Sequence, residues 1–364
     1  MTLRRSKIII ILLAMNFFLW GFLWSTDKSN LELIGTLNIS VSEVNTLAVR
    51  GNYAYLGCSS RLLIIDISDK TAPYVAGEFH TSNSVSPIAF HDRYAYIIGG
   101  LTIKTDEVIR TLYVLDISNP PTPMLVGTYD IGEYPTHSIY ISGNKAYLGQ
   151  GYIFLLGNIG KLIIFDIENP VSPVLESAIY TNDIEAMCVY KNYAYCVCTI
   201  VPTKPYGIIG GELSIFNVSS PKYPTEKTTL RLQGIPRKIV FSKGYVLIVS
   251  ESPTTRHNQI EIYDVSIPGS PKYVNSYSTT GTIENITISG KYTYIADGTD
   301  GIKVIDFSNP LEVQEVAKFK CDGNTKKITG SYDYVYIIND TLGFVIFKKS
   351  REFKATDWGK FYND

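Results

Sequence analysis

The sequence predicts an all-β fold, a seven-bladed β-propeller, on three observations. A short aromatic strand recurs seven times, an apolar run follows each copy, and the series of repeats both begins and ends with an incomplete unit. Units of roughly 40 to 50 residues that contain four short strands are typical of propeller blades.

The aromatic strand is the clearest repeat. Its copies are NYAYLG from Asn52, RYAYIIG from Arg93, NKAYLG from Asn144, NYAYCVC from Asn192, GYVLIVS from Gly244, KYTYIAD from Lys291 and DYVYIIN from Asp333. A short alternating run precedes each copy, and the runs RLLIIDI, TLYVLDI, KLIIFDI, ELSIFNV, QIEIYDV, IKVIDF and GFVIFK follow them. Alternation and aromatic residues favour β-strands.

The two ends of the chain predict how the ring closes. Six units continue through a turn into a fourth run such as PMLVGTYDI, but the seventh has none. An orphan run, LELIGTLNI from Leu31 to Ile39, precedes the first unit and resembles these fourth strands. We expect this N-terminal strand to complete the last blade, because the join covers two sheet edges that would otherwise be exposed.

These repeats resemble the LVIVD-repeat family of bacterial and archaeal surface proteins. The segments GNYAYLG…RLLIIDIS, GNKAYLG…KLIIFDIENP and GKYTYIADGTDGIKVIDFSNP match the family pattern, and the resemblance covers Leu31 to Ser350. Unit five departs from it at Leu247, and unit seven lacks the aspartate and the turn. The resemblance implies a propeller and an exported location, but no defined activity.

The first 28 residues have a different character. A basic start, MTLRRSK, is followed by 17 uncharged residues from Ile8 to Trp24. As a helix this run would be about 25 Å long, near the short limit for a membrane span. We expect a membrane anchor within residues 1–28, a propeller over residues 29–350 and a polar tail over residues 351–364. The basic flank favours export of the propeller to the cell surface or periplasm.

Two alternatives for this segment remain open. A cleaved signal peptide would give a secreted protein, although the large residues Phe22, Leu23 and Trp24 occupy positions where cleavage requires small ones. A buried core helix is the other alternative.

Composition excludes nucleic acid as a partner and limits the states in which the cysteines are expected. The net charge is -1 and only 18% of residues are charged, so no basic excess exists for nucleic acid. The chain has five cysteines, and no histidine accompanies them to form a metal site. We expect buried free thiols, with a bridge from Cys188 to Cys196 or Cys198 as the alternative.

A polar residue ends most of the apolar runs. We interpret these residues as turn formers, because a short acidic side chain before Ser, Asn and Pro accepts backbone N–H bonds. Spread around a ring, they cannot converge on one ion. The aligned positions are Asp66, Asp116, Asp166, Asn217, Asp264, Asp306 and Lys348.

Insertions distinguish four consecutive units. We measured the separation between the second aromatic residue of the second strand and the polar residue that ends the third strand. It is 11 or 12 residues in units one, six and seven, and 17 to 22 residues in units two to five. Their loops should emerge on the face opposite the turns and could contact a partner. The alternatives are a small satellite core or merely longer hairpins. Candidate contact residues are Asp106, Glu107, Arg110, Tyr152, Phe154, Leu155, Tyr206, Arg256 and His257.

One aligned polar position near the start of each first strand should ring the central channel. These residues could bind a polar ligand, or they could simply line a wet channel mouth where opposite charges neutralise one another. They are Asn45, Ser86, His137, Glu185, Arg237, Glu284 and Lys326.

The sequence therefore favours an exported, non-enzymatic scaffold that binds a protein or glycan on the cell surface through the face with the long loops. It suggests no catalytic residue, metal or cofactor. A hydrolase or lyase at the channel mouth and a structural surface-layer component are the alternatives.

Overall fold

The structure is a computed structural model that describes residues 31–104, 107–154, 157–201, 210–253, 255 and 257–350. Its described residues form seven four-stranded antiparallel sheets. The predicted N-terminal hydrophobic helix, residues 8–24, and the predicted polar tail, residues 351–364, lie outside these ranges. Within the described ranges, no helix has the length and apolarity that a membrane span requires.

The strands follow one another with one short 3-10 helix, Val41–Glu43, between the first two. In chain order they are β1 Leu31–Leu37, β2 Thr46–Arg50, β3 Tyr53–Gly57, β4 Arg61–Asp66, β5 Tyr74–His80, β6 Ile88–His91, β7 Tyr94–Lys104, β8 Glu107–Asp116, β9 Met124–Asp130, β10 Thr136–Ser142, β11 Lys145–Phe154, β12 Gly157–Asp166, β13 Val174–Thr181 and β14 Asp183–Tyr190. They continue as β15 Tyr193–Ile200, β16 Gly210–Asn217, β17 Thr225–Arg231, β18 Ile235–Ser242, β19 Tyr245–Glu251, β20 Asn258–Asp264, β21 Lys272–Ser278, β22 Asn285–Ser289, β23 Tyr292–Ala296, β24 Ile302–Asp306, β25 Gln314–Phe319, β26 Thr325–Gly330, β27 Tyr334–Asn339 and β28 Gly343–Lys349.

The sheets are the blades of a seven-bladed β-propeller, as the repeats predict. Blades 1 to 6 each consist of four consecutive strands, from β2–β5 to β22–β25. The sheet of blade 7 has the order β1-β28-β27-β26, with Leu31 opposite Lys349 and Leu37 opposite Phe344. First strands of neighbouring blades contact one another around the ring, including β26 with β2.

The recurring aromatic residue of the second strand fills the space between blades. Tyr55, Tyr96, Tyr195, Tyr294 and Tyr336 are all fully buried or nearly so. Burial raises the pKa of Tyr55 to about 12, because ionisation would place a charge in an apolar environment. Leu247 occupies this position in blade 5 and is also buried, so the position requires a large apolar body rather than a hydroxyl.

A glycine recurs in the fourth run of blades 1, 2 and 7, at Gly77, Gly127 and Gly35. A Cβ on Gly77 of blade 1 would lie 2.0 Å from the carbonyl oxygen of Pro121, in the turn of blade 2. A Cβ on Gly35 of β1 would lie 2.0 Å from the carbonyl oxygen of Lys70, in the turn of blade 1. A small residue here lets the outer strand approach the turn of the next blade.

The polar residues at the ends of the third strands form turns, which confirms their predicted role. Six of the seven aligned residues accept the backbone N–H of the residue two positions later, and Lys348 of blade 7, which cannot accept, is the exception. At Asp66, Asp116, Asp166, Asn217, Asp264 and Asp306 the N···O distances are 2.7, 2.9, 2.8, 3.0, 2.9 and 2.8 Å.

All five cysteines are buried free thiols. The expectation of free thiols is confirmed and the alternative bridge from Cys188 is wrong, because strand register places Cys188 opposite Tyr195 and Met187 opposite Cys196.

Candidate functional site

The hairpins between the second and third strands of each blade lie on the face opposite the turns. In blades 2 and 3 the insertions lengthen these hairpins, which was one of the alternatives. Pairing of β7 with β8 extends to Lys104 opposite Glu107, and pairing of β11 with β12 extends to Phe154 opposite Gly157. We call this side the loop face and the other side the turn face.

The structure places five of the nine candidate loop residues. Glu107 and Phe154 lie in β8 and β11. Arg110 donates from Nε to the carbonyl oxygen of Glu133 at 3.2 Å, whereas the side chains of Tyr152 and His257 are exposed. The other four candidates, Asp106, Leu155, Tyr206 and Arg256, lie outside the described residues.

Blade 3 presents an aromatic surface at this face. Tyr152 lies opposite Ile159, and Lys161 lies opposite Tyr180, so strand alternation puts these four side chains on one side of the sheet. Tyr152, Ile159 and Tyr180 have exposed fractions of 47%, 38% and 71%. The Lys161 ammonium lies 4.7 Å from the ring centre of Tyr134 and 5.0 Å from that of Tyr180. We call these five residues the blade 3 platform.

The seven predicted channel positions lie at or just before the first strands of their blades. His137, Glu185, Arg237 and Lys326 occupy β-bulges in β10, β14, β18 and β26. Asn45, Ser86 and Glu284 precede the strands of their blades. A bulge places two residues opposite one and so re-aims the side chain.

Among the described residues, no ion pair within 4.0 Å joins two of these seven positions. Arg237 pairs with Glu251 of its own blade at 3.1 Å, and Glu185 accepts a hydrogen bond from Thr199 Oγ1 at 3.0 Å. Alignment of the seven repeats predicts the position of each residue along its strand, but it does not predict the direction of the side chain.

Asp183, which the sequence did not indicate, lies close to His137. His137 Nε2 lies 3.2 Å from the carbonyl oxygen of Gly151 and 3.6 Å from Asp183 Oδ1. A Cβ on Gly151 would lie 1.7 Å from Asp183 Oδ1, so the approach depends on glycine. The sequence signal for this approach was the glycine at position 151, because a glycine inside a strand often marks the close approach of another group.

The environment of Asp183 makes it a proton-exchanging group near neutral pH. Burial, with the neighbouring charge of Glu185, raises the pKa of Asp183 to about 6, while His137 acts in the opposite direction. The side chain is almost fully buried and Oδ1 has no hydrogen-bond partner among the described residues. The ionised form of this buried carboxyl is therefore disfavoured below about pH 6.

Two further lysines occupy the first strands of blades 5 and 7. Lys238 and Lys327 directly follow the bulge residues Arg237 and Lys326, in β18 and β26. No group of three or more His, Cys, Asp or Glu residues in the described part of the chain could hold a metal ion.

Fold and repeats together define the class, a seven-bladed β-propeller protein built from four-stranded repeats. The LVIVD repeat family model matches residues 43–81, 109–131, 135–181 and 280–320. The first, third and fourth of these matches correspond to blades 1, 3 and 6, and the second to the later half of blade 2. These matches confirm the resemblance of the repeats to the LVIVD-repeat family that the motifs indicated. No curated protein matches the sequence.

Solved structures share this fold at low sequence identity. The Cps50 (Swd1) β-propeller domain of Myceliophteria thermophila is 10% identical, with a TM-score of 0.63 and coverage of 88% of this chain and 100% of that one. The computationally designed Ika8 protein is 12% identical, with a TM-score of 0.57 and coverage of 87% and 99%. BamB from Moraxella catarrhalis is 12% identical, with a TM-score of 0.51 and coverage of 82% of each chain. These similarities concern the fold alone.

Proposed function

We propose that this protein is an exported, membrane-anchored scaffold that binds a partner through its loop face. The propeller supplies a rigid support, and the blade 3 platform supplies the contact surface. Residues 8–24 provide the anchor, and the partner is a protein on the cell surface.

The observation that carries the proposal is the exposure of the platform. Tyr152 and Ile159 are exposed opposite one another in the raised hairpin, where the strand pairing holds their backbone in place, and Tyr180 is exposed in the adjacent strand β13. Contiguous exposed apolar surface with a polar margin is typical of interaction sites. Tyrosine is enriched at such sites because it buries a large area at low cost in conformational entropy.

A glycan is the second candidate, and Lys161 is the observation that favours it. Its ammonium is held between the rings of Tyr134 and Tyr180, beside open aromatic surface. Such an arrangement suits a sugar that carries a carboxylate, since the ring faces cover C–H groups and the lysine pairs with the charge.

Replacement of the raised hairpin tests the proposal. Gln150 and Lys161 lie directly opposite one another, so residues 151–160 can be replaced by an Asn-Gly turn. The full-length chain is crosslinked in its host, and the proteins and glycans attached to it are compared with those of the variant. We expect loss of the specific partner. An identical set of crosslinked partners would contradict the loop-face proposal.

Export and anchoring need a separate experiment. Whole cells that produce the full-length chain are treated with protease and then fractionated. We expect the propeller to be accessible from outside the inner membrane and to remain in the membrane fraction. A variant without residues 1–28 should stay in the cytoplasm. A protease-inaccessible wild-type protein would refute export, and a fully soluble one would refute anchoring.

A further inference from the structure

The chain enters the propeller on the turn face. Lys348 occupies the turn position of blade 7, near the end of the third strand β28, and it lies opposite Glu32 of β1. Leu31 lies opposite Lys349 and is buried, so the start of β1 is packed at this end of the blade. Because β1 and β28 are antiparallel, β1 begins at the turn face and runs towards the loop face.

The connection from the proposed anchor to this strand is short. Residues 25–30 separate Trp24 from Leu31, and an extended chain advances at most about 3.6 Å per residue, so this connection reaches at most about 25 Å. The raised hairpin of blade 3 ends about 30 Å from the turn face, because the residues of β11, Lys145–Phe154, rise about 3.3 Å each. With the loop face against the bilayer, Leu31 would lie farther from the membrane than the connection can reach.

The turn-face ends of the blades carry most of the exposed large apolar side chains of the described residues. In blades 3 to 6 each turn exposes one; these are Val171, Tyr223, Ile267 and Leu311. Blades 1 and 2 instead expose a pair at the start of the fourth strand; these are Tyr74 with Val75 and Met124 with Leu125. Apolar side chains that are exposed singly and at random need no explanation, but six consecutive blades expose theirs at the same end.

Backbone hydrogen bonds hold these turns in place. In blade 3 the Ser172 N–H donates to the carbonyl oxygen of Asn169 at 3.0 Å, so Val171 occupies the third position of a tight turn. The carbonyl oxygen of Val171 accepts a hydrogen bond from the Tyr129 hydroxyl of blade 2 at 2.8 Å. Leu311 of blade 6 has an equivalent turn bond and an equivalent bond to blade 5. The polar groups of these turns are therefore satisfied within the protein, while the apolar side chains are exposed.

Several charged groups of the turn face form local ion pairs. The pairs are Asp116 with Arg93, Asp166 with Lys145 and Asp306 with Lys291, at N···O distances of 3.2, 2.8 and 2.8 Å. A paired charge loses less free energy than an isolated one when water is removed from around it. The face can therefore approach a zwitterionic lipid surface, where binding strength follows the apolar area that is buried.

We propose that the turn face rests on the lipid bilayer, with the exposed apolar side chains of its turns in the headgroup region, and that the loop face points away from the membrane. This inference rests on the anchor in the proposed function. A flat surface can contact the turns of several blades at once, so no groove is required. Tyr223 suits this depth, because tyrosine combines an apolar ring with a polar hydroxyl. The orientation leaves the blade 3 platform open to its partner.

Spin labels on introduced cysteines test the orientation. The natural thiols are buried, so the label reacts with the introduced cysteine. Ile267→Cys places the label on the turn face and Ile159→Cys places it on the loop face, and both isoleucines are exposed. The full-length chain is inserted into phosphatidylcholine nanodiscs, and collisions of each label with oxygen and with a water-soluble nickel complex are measured. We expect the nickel collision rate at position 267 to be at least threefold lower than at position 159, and the oxygen collision rate to be higher.

Two double variants in the Ile267→Cys background test whether the apolar side chains cause this protection. Tyr223→Ser with Leu311→Ser should at least double the nickel collision rate at position 267. Tyr152→Ser with Tyr180→Ser, the matched pair on the loop face, should leave it unchanged. Equal protection in both double variants would overturn the proposed contact.

Gel filtration of the same samples separates this inference from the anchor itself. A chain that coelutes with the nanodiscs while both labels are equally open to nickel keeps its anchor but overturns the turn-face contact. Stronger protection at position 159 than at position 267 overturns the orientation in the same way. A chain that does not coelute with the nanodiscs overturns both the anchor and the inference.

Discussion

The two faces of the ring are built on different rules. On the turn face, six blades repeat one device, a polar side chain that accepts the N–H group two residues later. On the loop face, the buried polar groups differ from blade to blade. Gln150 donates to the carbonyl oxygen of Ile131, Glu261 accepts N–H groups of Gln233 and Gly234, and Asp297 pairs with Lys303 at 2.5 Å.

Repetition and divergence therefore separate folding from function in this molecule. The hydrogen bond that is repeated in six blades stabilises a feature that these blades share, namely the turn and its contact with the next blade. Groups found in single blades hold one particular loop or cluster in place. Substitutions on the two faces should accordingly differ in size, in sign and in their dependence on pH.

The largest expected effect is at Glu261 on the loop face. This carboxylate is fully buried and accepts hydrogen bonds from Gln233 N at 3.1 Å, Gly234 N at 3.0 Å and the Tyr263 hydroxyl at 2.5 Å, and also from Ser250. Glu261→Ala leaves buried donors without a partner, so we expect the free energy of unfolding to fall by about 4 kcal/mol. Urea unfolding measures it.

Glu312→Ala is the matched control, because Glu312 is exposed. It should change stability by less than about 0.5 kcal/mol. If Glu261→Ala behaved like this control, the loop face would not depend on its blade-specific anchors.

Substitution of Asp183 should raise the free energy of unfolding, whereas substitution of Glu261 should lower it. Its folded pKa of about 6 lies above the usual value of 3.8, so the folded state binds more protons between these values. The stability of the wild type therefore falls as pH rises through this window, and the full cost applies above pH 6. Asp183→Asn should gain about 2 kcal/mol at pH 8 and little at pH 3.5, as measured by urea unfolding at both pH values. A loss of stability at pH 8 would show that the ionised carboxylate supports the fold.

The smallest effect is expected on the turn face, at Asp116. The Ser118 hydroxyl and backbone N–H both donate to it, and with the Arg93 charge they lower the pKa of this carboxyl. A carboxyl with a lowered folded pKa stabilises above its unfolded pKa and loses this effect as pH falls through the folded value. We expect Asp116→Ala to cost about 1 kcal/mol at pH 7 and less in acid, by thermal or urea unfolding.

Asp116→Asn is the control for the turn, because Asn217 already accepts the Ser219 N–H at 3.0 Å in blade 4. It should cost less than alanine. Equal losses for the two variants would mean that charge, rather than the accepted hydrogen bond, maintains the turn.

The sequence predicted the structural features that repeat from blade to blade, and it missed the features that occur in a single blade. Seven copies of one strand predicted the blades, and the position of Asp116 before Ser and Pro predicted its turn. Asp183 was missed because it lies outside the aligned position, and the bulges that carry His137 and Glu185 re-aim their side chains.

The affinity of the purified partner for two double variants tests the central claim most directly. Tyr152→Ser with Tyr180→Ser alters the blade 3 platform, and Tyr223→Ser with Leu311→Ser alters turn-face residues that are 79% and 72% exposed. We predict at least a tenfold loss of affinity for the first pair, or about 1.4 kcal/mol, and no change for the second. Equal affinities, or a loss confined to the turn-face pair, would contradict the assignment of binding to the loop face.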